Sequence, residues 1–135
     1  MQTVKQQGVY QNTLILISSD NGPWYQGSPG SDRGRKGETF EGGMHVPMLV
    51  HWPEQIPGGR NLDGISMGTD WFPTILDWLQ LPLPQDRMID GRSLRGMLSA
   101  DEASPNEYLF YFSSTQLMAV RDARYKYHDT RKYMY

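Results

Sequence analysis

The clearest hydrophobic pattern in the chain is the run Thr13-Leu-Ile-Leu-Ile-Ser18, which breaks off into Ser19-Asp20-Asn21-Gly22. A short run this apolar, with β-branched Ile15 and Ile17, predicts a strand buried on both faces of a parallel sheet. Before it, residues 1–12 read as the end of a helix closed by Gly8, a residue suited to a left-handed C-terminal cap. A second strand is predicted within residues 44–52, entered at Pro47, with Met48-Leu-Val-His51 as its body. Helical spacing follows at Phe72, Ile75, Leu76 and Leu79, with Thr69 or Asp70 as N-cap and Pro73 in the first turn. Those aromatic and leucine side chains read as core. Leu81-Pro-Leu-Pro84 stops the helix. Asp90-Gly91 is a turn before a short helix over residues 93–98, and residues 101–106 are a polar linker. The tail alternates differently: residues 108–112, 116–121 and 124–128 read as three short antiparallel strands, the last two joined by a tight hairpin at Asp122-Ala123.

The chemistry gathers where the first strand ends. In open α/β sheets ligands bind just beyond the carboxyl ends of the strands. Asp20 and Asn21 fall there and offer hard oxygen ligands for calcium or magnesium. Lys36 brings a mobile cation suited to an oxyanion. The same residues also have a plain structural reading, because Asp-Asn-Gly forms turns readily and a lysine in a glycine-rich loop can simply face water. Neither a phosphate-binding P-loop nor an EF-hand can be read here. Residues 22–43 hold seven glycines, at 22, 27, 30, 34, 37, 42 and 43, and need a neighbour or ligand to order them. Trp24 and Tyr25 are read as packing this segment down or, as the alternative, lining a substrate pocket, while Arg33 and Arg35 are expected to face solvent.

Composition narrows the function classes. A chain of 135 residues suffices for one ordinary domain, burying roughly two thirds of its unfolded surface. A formal charge of −2 argues for neither nucleic acid nor a membrane surface, and no apolar run reaches the ~18 residues of a transmembrane helix. The opening Met1-Gln-Thr-Val-Lys-Gln-Gln is too polar for a signal peptide. The absence of cysteine excludes disulfides and thiolate zinc sites and leaves the compartment open.

Taken in order, Asn12-Thr-Leu-Ile-Leu-Ile-Ser-Ser-Asp-Asn-Gly22, Lys36-Gly-Glu-Thr-Phe-Glu-Gly-Gly43, Val46-Pro47, Trp52-Pro53, Thr69-Asp-Trp-Phe-Pro-Thr-Ile-Leu76, Asp86-Arg-Met-Ile-Asp-Gly91 and Ala119-Val-Arg121 resemble the sulfatase family, nearest its arylsulfatase, steroid-sulfatase and N-acetylgalactosamine-6-sulfatase members. The likeness implies an α/β fold: the C-terminal part of an alkaline-phosphatase-like sulfatase domain over residues 1–104, then the start of a small antiparallel subdomain over 105–135. It implies hydrolysis of aryl, steroid or carbohydrate sulfate esters, with Asp20 and Asn21 as calcium ligands and Lys36 as the catalytic, sulfate-binding cation. It also implies a formylglycine nucleophile made within Cys/Ser-x-Pro-x-Arg, a motif this chain lacks and that the family carries N-terminal to the matched region. The chain is therefore expected to be a C-terminal segment that is inactive alone, its parent secreted, periplasmic or lysosomal. His45 stands where the resembling enzymes usually carry Arg, and a structural or pocket-edge role is expected for it; His51, which alternates away from the apolar positions, is expected to be structural. The alternatives are a phosphoester hydrolase of the same superfamily, whose members usually place Asp-His and a zinc pair where Asp20-Asn21 stands, and a non-catalytic metal-binding fragment.

Overall fold

The computed structural model describes residues 1–129 and the backbone of 133–134. In chain order the elements are α1 (Gln2–Gln6), β1 (Ile15–Ser18), α2 (Glu41–Met44), β2 (Met48–His51), a 3-10 turn (Gly68–Asp70), α3 (Trp71–Trp78), α4 (Arg95–Ala100), β3 (Leu109–Ser113), β4 (Gln116–Arg121), β5 (Lys126–His128) and β6 (Tyr133–Met134). β1 and β2 form one sheet, and β3-β4-β5-β6 form a second with sequential antiparallel pairing. The three tail strands thus pair as their alternation predicts, and β6 adds a fourth. The hairpin between β4 and β5 is wider than a two-residue turn. Asp122 Oδ1 accepts the Arg124 and Tyr125 amides at 2.7 and 2.5 Å, and the Asp122 amide donates to Tyr125 O at 3.0 Å. A carboxylate at the turn's first position takes the place of the Asp-Gly pair that Ala123 cannot supply.

Two expectations about the first strands are corrected. β1 pairs antiparallel with β2, Ile15 opposite His51 and Ser18 opposite Met48. It is not buried on both faces either, since Ile17 is 58% exposed and its cross-strand partner Leu49 65%. Among the described residues no third strand flanks this pair, so the apolar run reports a face that nothing here covers. Gly8 behaves as predicted, adopting φ +71° just past α1 and donating its amide to Lys5 O.

The core sits between β2, α3 and α4. Ile56, Leu94, Met97 and Leu98 are buried, and Leu14, Val50, Trp52, Trp71 and Trp78 pack around them. Trp52 and Trp78 meet edge-on at 5.2 Å. The helix begins where predicted, but its buried stripe is different. Phe72, Ile75 and Leu79 are exposed, whereas Pro73 and Thr74 are buried. Thr74 can be interior because its hydroxyl donates to Asp70 O at 2.5 Å and accepts the Leu94 amide at 2.8 Å; a buried hydroxyl needs such partners. Asp70 is the N-cap residue by position, yet its carboxylate does not cap α3. Instead it accepts the Met67 amide at 2.8 Å, the Arg92 amide at 2.9 Å and Asn106 Nδ2 at 2.7 Å. One fully buried carboxylate therefore gathers the 3-10 turn, the irregular stretch at Arg92 that leads into α4 and the 101–106 segment.

Candidate functional site

The end of β1 is tied down by short polar side chains. Ser18 Oγ donates to Pro47 O at 3.0 Å, and Ser19 Oγ donates to Asn21 O at 2.8 Å, closing the turn that carries Asp20 and Asn21. Asn21 Nδ2 donates to Gly22 O at 3.0 Å, which leaves its Oδ1 as the side-chain atom suited to a cation. Gly22 then donates to Gly43 O at 2.9 Å. A Cβ at Gly22 would run into the Gly42 carbonyl, and one at Gly42 into the Gly34 carbonyl; the two backbones meet this closely only because neither has a side chain.

Lys36 stands at the tip of the next turn. The Glu38 amide donates to Arg35 O and the Arg35 amide to Glu38 Oε2, each at 2.9 Å. The Lys36 amide donates to Pro23 O at 3.1 Å. The fold thus brings the backbone of Lys36 within one hydrogen bond of the segment that follows Asn21. Lys36 and Asp20 are both exposed. No group of three or more His, Cys, Asp or Glu side chains gathers closely enough to hold a metal among the described residues. Asp20 and Asn21 offer two hard oxygens, a donor set that fits part of a calcium shell and suits zinc poorly.

The rest of the glycine loop departs from expectation. Trp24 and Tyr25 do not pack it down; they are 52% and 74% exposed and meet each other edge-on at 5.0 Å. Arg35, expected in solvent, is half-buried and donates to Trp24 O and Gly27 O at 3.0 and 2.7 Å, taking over the ordering role. Arg33 is exposed and lies over the Phe40 ring at 4.4 Å. His45 Nδ1 pairs with Asp32 Oδ2 at 3.2 Å on the surface, and the His51 ring rests on Tyr10 at 5.1 Å.

A second cluster, which the residue-level reading did not single out, lies behind the Lys36 turn. Lys126 is 1% exposed. Its Nζ donates to Thr39 O at 2.5 Å and Glu41 Oε1 at 2.8 Å, and sits 3.4 Å from the Tyr111 ring centroid. Arg121 Nη1 bonds the other Glu41 oxygen. His128 Nε2 lies 2.9 Å from Thr39 Oγ1, and its ring stacks on Phe40 at 4.6 Å. Burial alone would raise the Glu41 carboxyl, but the Lys126 hydrogen bond and the Lys126 and Arg121 charges outweigh it and hold it below the ordinary value. Burial lowers Lys126, partly opposed by Glu41, and burial together with the Glu41 charge raises the Tyr111 phenol. A cavity of about 190 Å³ opens between residues 37–40 and Ser113, Met118 and His128. The signal available in sequence was the strand period: Lys126 and His128 fall on one face of β5, so a charged residue was bound inward if that face was covered.

At the end of β1 a carboxylate and an amide lie beside a turn presenting a lysine, groups whose chemistry suits a hard cation and an oxyanion. Comparison with known proteins gives the family. The sulfatase family model matches residues 1–81, so the chain belongs to the sulfatase family. It is 38% identical over 125 residues to the mouse (Mus musculus) steryl-sulfatase, covering 84% of this chain and 20% of that protein. It is 37% identical over 131 residues to the arylsulfatase of Hemicentrotus pulcherrimus, covering 93% of this chain and 23% of that one. The crystal structure of the PsFucS1 sulfatase from Pseudoalteromonas superposes with a TM-score of 0.84 at 32% identity, covering 93% of this chain and 26% of that one. The chain therefore spans about a fifth to a quarter of the length of these relatives. The structural neighbours are sulfatases of alkaline-phosphatase-like fold, which agrees with the α/β class and the small antiparallel sheets.

Proposed function

We propose that this chain supplies one side of a sulfate-ester hydrolase site, with Asp20 and Asn21 as calcium ligands and Lys36 as the cation that grips the sulfate. The observation that carries this reading is the pair of backbone bonds, Gly22 to Gly43 and Lys36 to Pro23, that draws the Asp20-Asn21 turn and the Lys36 turn into one region. Bound calcium would neutralise charge on the sulfate oxygens. The chain's own work is to hold two oxygen ligands on a pinned turn and to aim an ammonium at an oxygen that gains charge in the transition state. A sulfate ester, whether aryl, steroid or carbohydrate, is the substrate class. Asn21, where a zinc phosphoesterase would use an imidazole, favours a hard cation and a sulfate ester over the phosphoester alternative.

Turnover also needs a nucleophile, and with no cysteine and no serine in Ser-x-Pro-x-Arg spacing this chain does not provide a formylglycine. The 135-residue chain with calcium should leave an aryl sulfate unhydrolysed; measurable turnover would overturn the reading. Where these residues are joined to a nucleophile-bearing sulfatase portion, Lys36→Ala should lower kcat about a hundredfold with the fold intact. Near-normal kcat in that variant would remove the role assigned to Lys36.

A further inference from the structure

An ammonium taken out of water is stable only if it is paired and fully hydrogen-bonded. Lys126 meets that condition through one short stretch, the Thr39 carbonyl and the Glu41 carboxylate, with the Tyr111 ring beneath it. Glu41 takes a second cation, Arg121, from the neighbouring strand β4. His128, on the same face of β5, holds the Thr39 hydroxyl and the Phe40 ring. The antiparallel sheet therefore grips three consecutive residues, Thr39, Phe40 and Glu41, immediately after the turn that presents Lys36. The other side of the same loop is fixed by Pro23 O on the Lys36 amide and by Arg33 O on the Gly42 amide at 2.7 Å. A segment this rich in glycine has much conformational freedom to lose, and a binding group must be held within about 0.5 Å to be useful.

We propose that Lys126 is a positioning residue: through Glu41 and the Thr39 carbonyl it fixes the loop that carries Lys36. This rests on the reading of Lys36 as the sulfate-binding group and adds the second sheet as its support. Its consequence is that the antiparallel sheet contributes to the site without touching substrate.

Amide hydrogen exchange on the 135-residue chain tests it, comparing wild type with Lys126→Met, Lys126→Arg and Glu41→Gln. In Lys126→Met the Lys36, Gly42 and Gly43 amides should exchange at least about tenfold faster while α3 amides keep their wild-type rates. Lys126→Arg retains a cation for both acceptors and should recover part of that protection, which lost packing alone would not explain. If Lys126→Met does not fold, Glu41→Gln is read by the same criteria. Unchanged loop exchange, or loop and α3 amides accelerating by the same factor, would overturn the proposal. Sodium sulfate titrated into the wild-type chain and followed at the Lys36 amide tests the underlying reading separately: no response there would remove the sulfate role of Lys36, and the exchange rates would still decide whether Lys126 fixes the loop.

Discussion

Replacing Asp70 by Ala removes the acceptor on which three separate segments converge. The Met67 amide, the Arg92 amide and Asn106 Nδ2 all donate to this one carboxylate, at 2.7–2.9 Å, and the residue is fully buried. A stranded donor in a site shielded from water costs about 1–3 kcal/mol. The three donors are only part-buried, so water entering the vacated space relieves some of this. The sum expected for Asp70→Ala is about 3–6 kcal/mol, against a total of ~5–15 kcal/mol for a typical domain. Asp70→Asn keeps the shape but turns one acceptor into a donor and weakens charge-assisted bonds, so it should cost about 2 kcal/mol. Urea unfolding followed by tryptophan fluorescence reads both, since Trp71 and Trp78 lie on the adjoining helix. Variants that both unfold within about 0.5 kcal/mol of wild type would refute the assignment of Asp70 as the point that joins these segments.

Two further outcomes follow from the Glu41 region. Because the folded Glu41 carboxyl lies below its ordinary 4.5, the unfolded chain binds that proton first; the stability it contributes is full above about 4.5 and is lost as pH falls through the lower folded value. Urea midpoints measured downward from neutral pH should fall more steeply in wild type than in Glu41→Gln, and parallel curves would refute this. Gly42→Ala drives a methyl into the Gly34 carbonyl and should cost about 1–3 kcal/mol and accelerate exchange at Gly22 and Lys36; a neutral effect on both would show that the two loops do not need this close approach.

Much of this arrangement is legible in sequence where local rules and tertiary structure agree. The Gly8 cap, the three tail strands and the start of α3 follow from turn chemistry and periodicity. What misled were positions where burial depends on a neighbour. Ile17 read as core by composition, yet a strand's burial is set by what lies across the sheet, and nothing among the described residues covers it or its partner Leu49. Phe72 and Thr74 exchanged places because Thr74 found two hydrogen-bond partners inside, which no helical period encodes. At the site, Asp20, Asn21 and Lys36 could be nominated because they stand in one ordered motif. Lys126 and Arg121 stayed hidden because their partner Glu41 is 85 and 80 residues away along the chain.

In the proposed function the Asp20-Asn21 and Lys36 turns form one oxyanion-binding region. The most direct test is a sulfate titration of the isotope-labelled 135-residue chain in the presence of calcium, read at every backbone amide beside the Lys36→Ala variant. A saturable response is expected, on the order of millimolar for a partial site, confined to residues 20–22 and 36–38 and lost in Lys36→Ala. A response elsewhere, no response, or one unchanged in Lys36→Ala would contradict it.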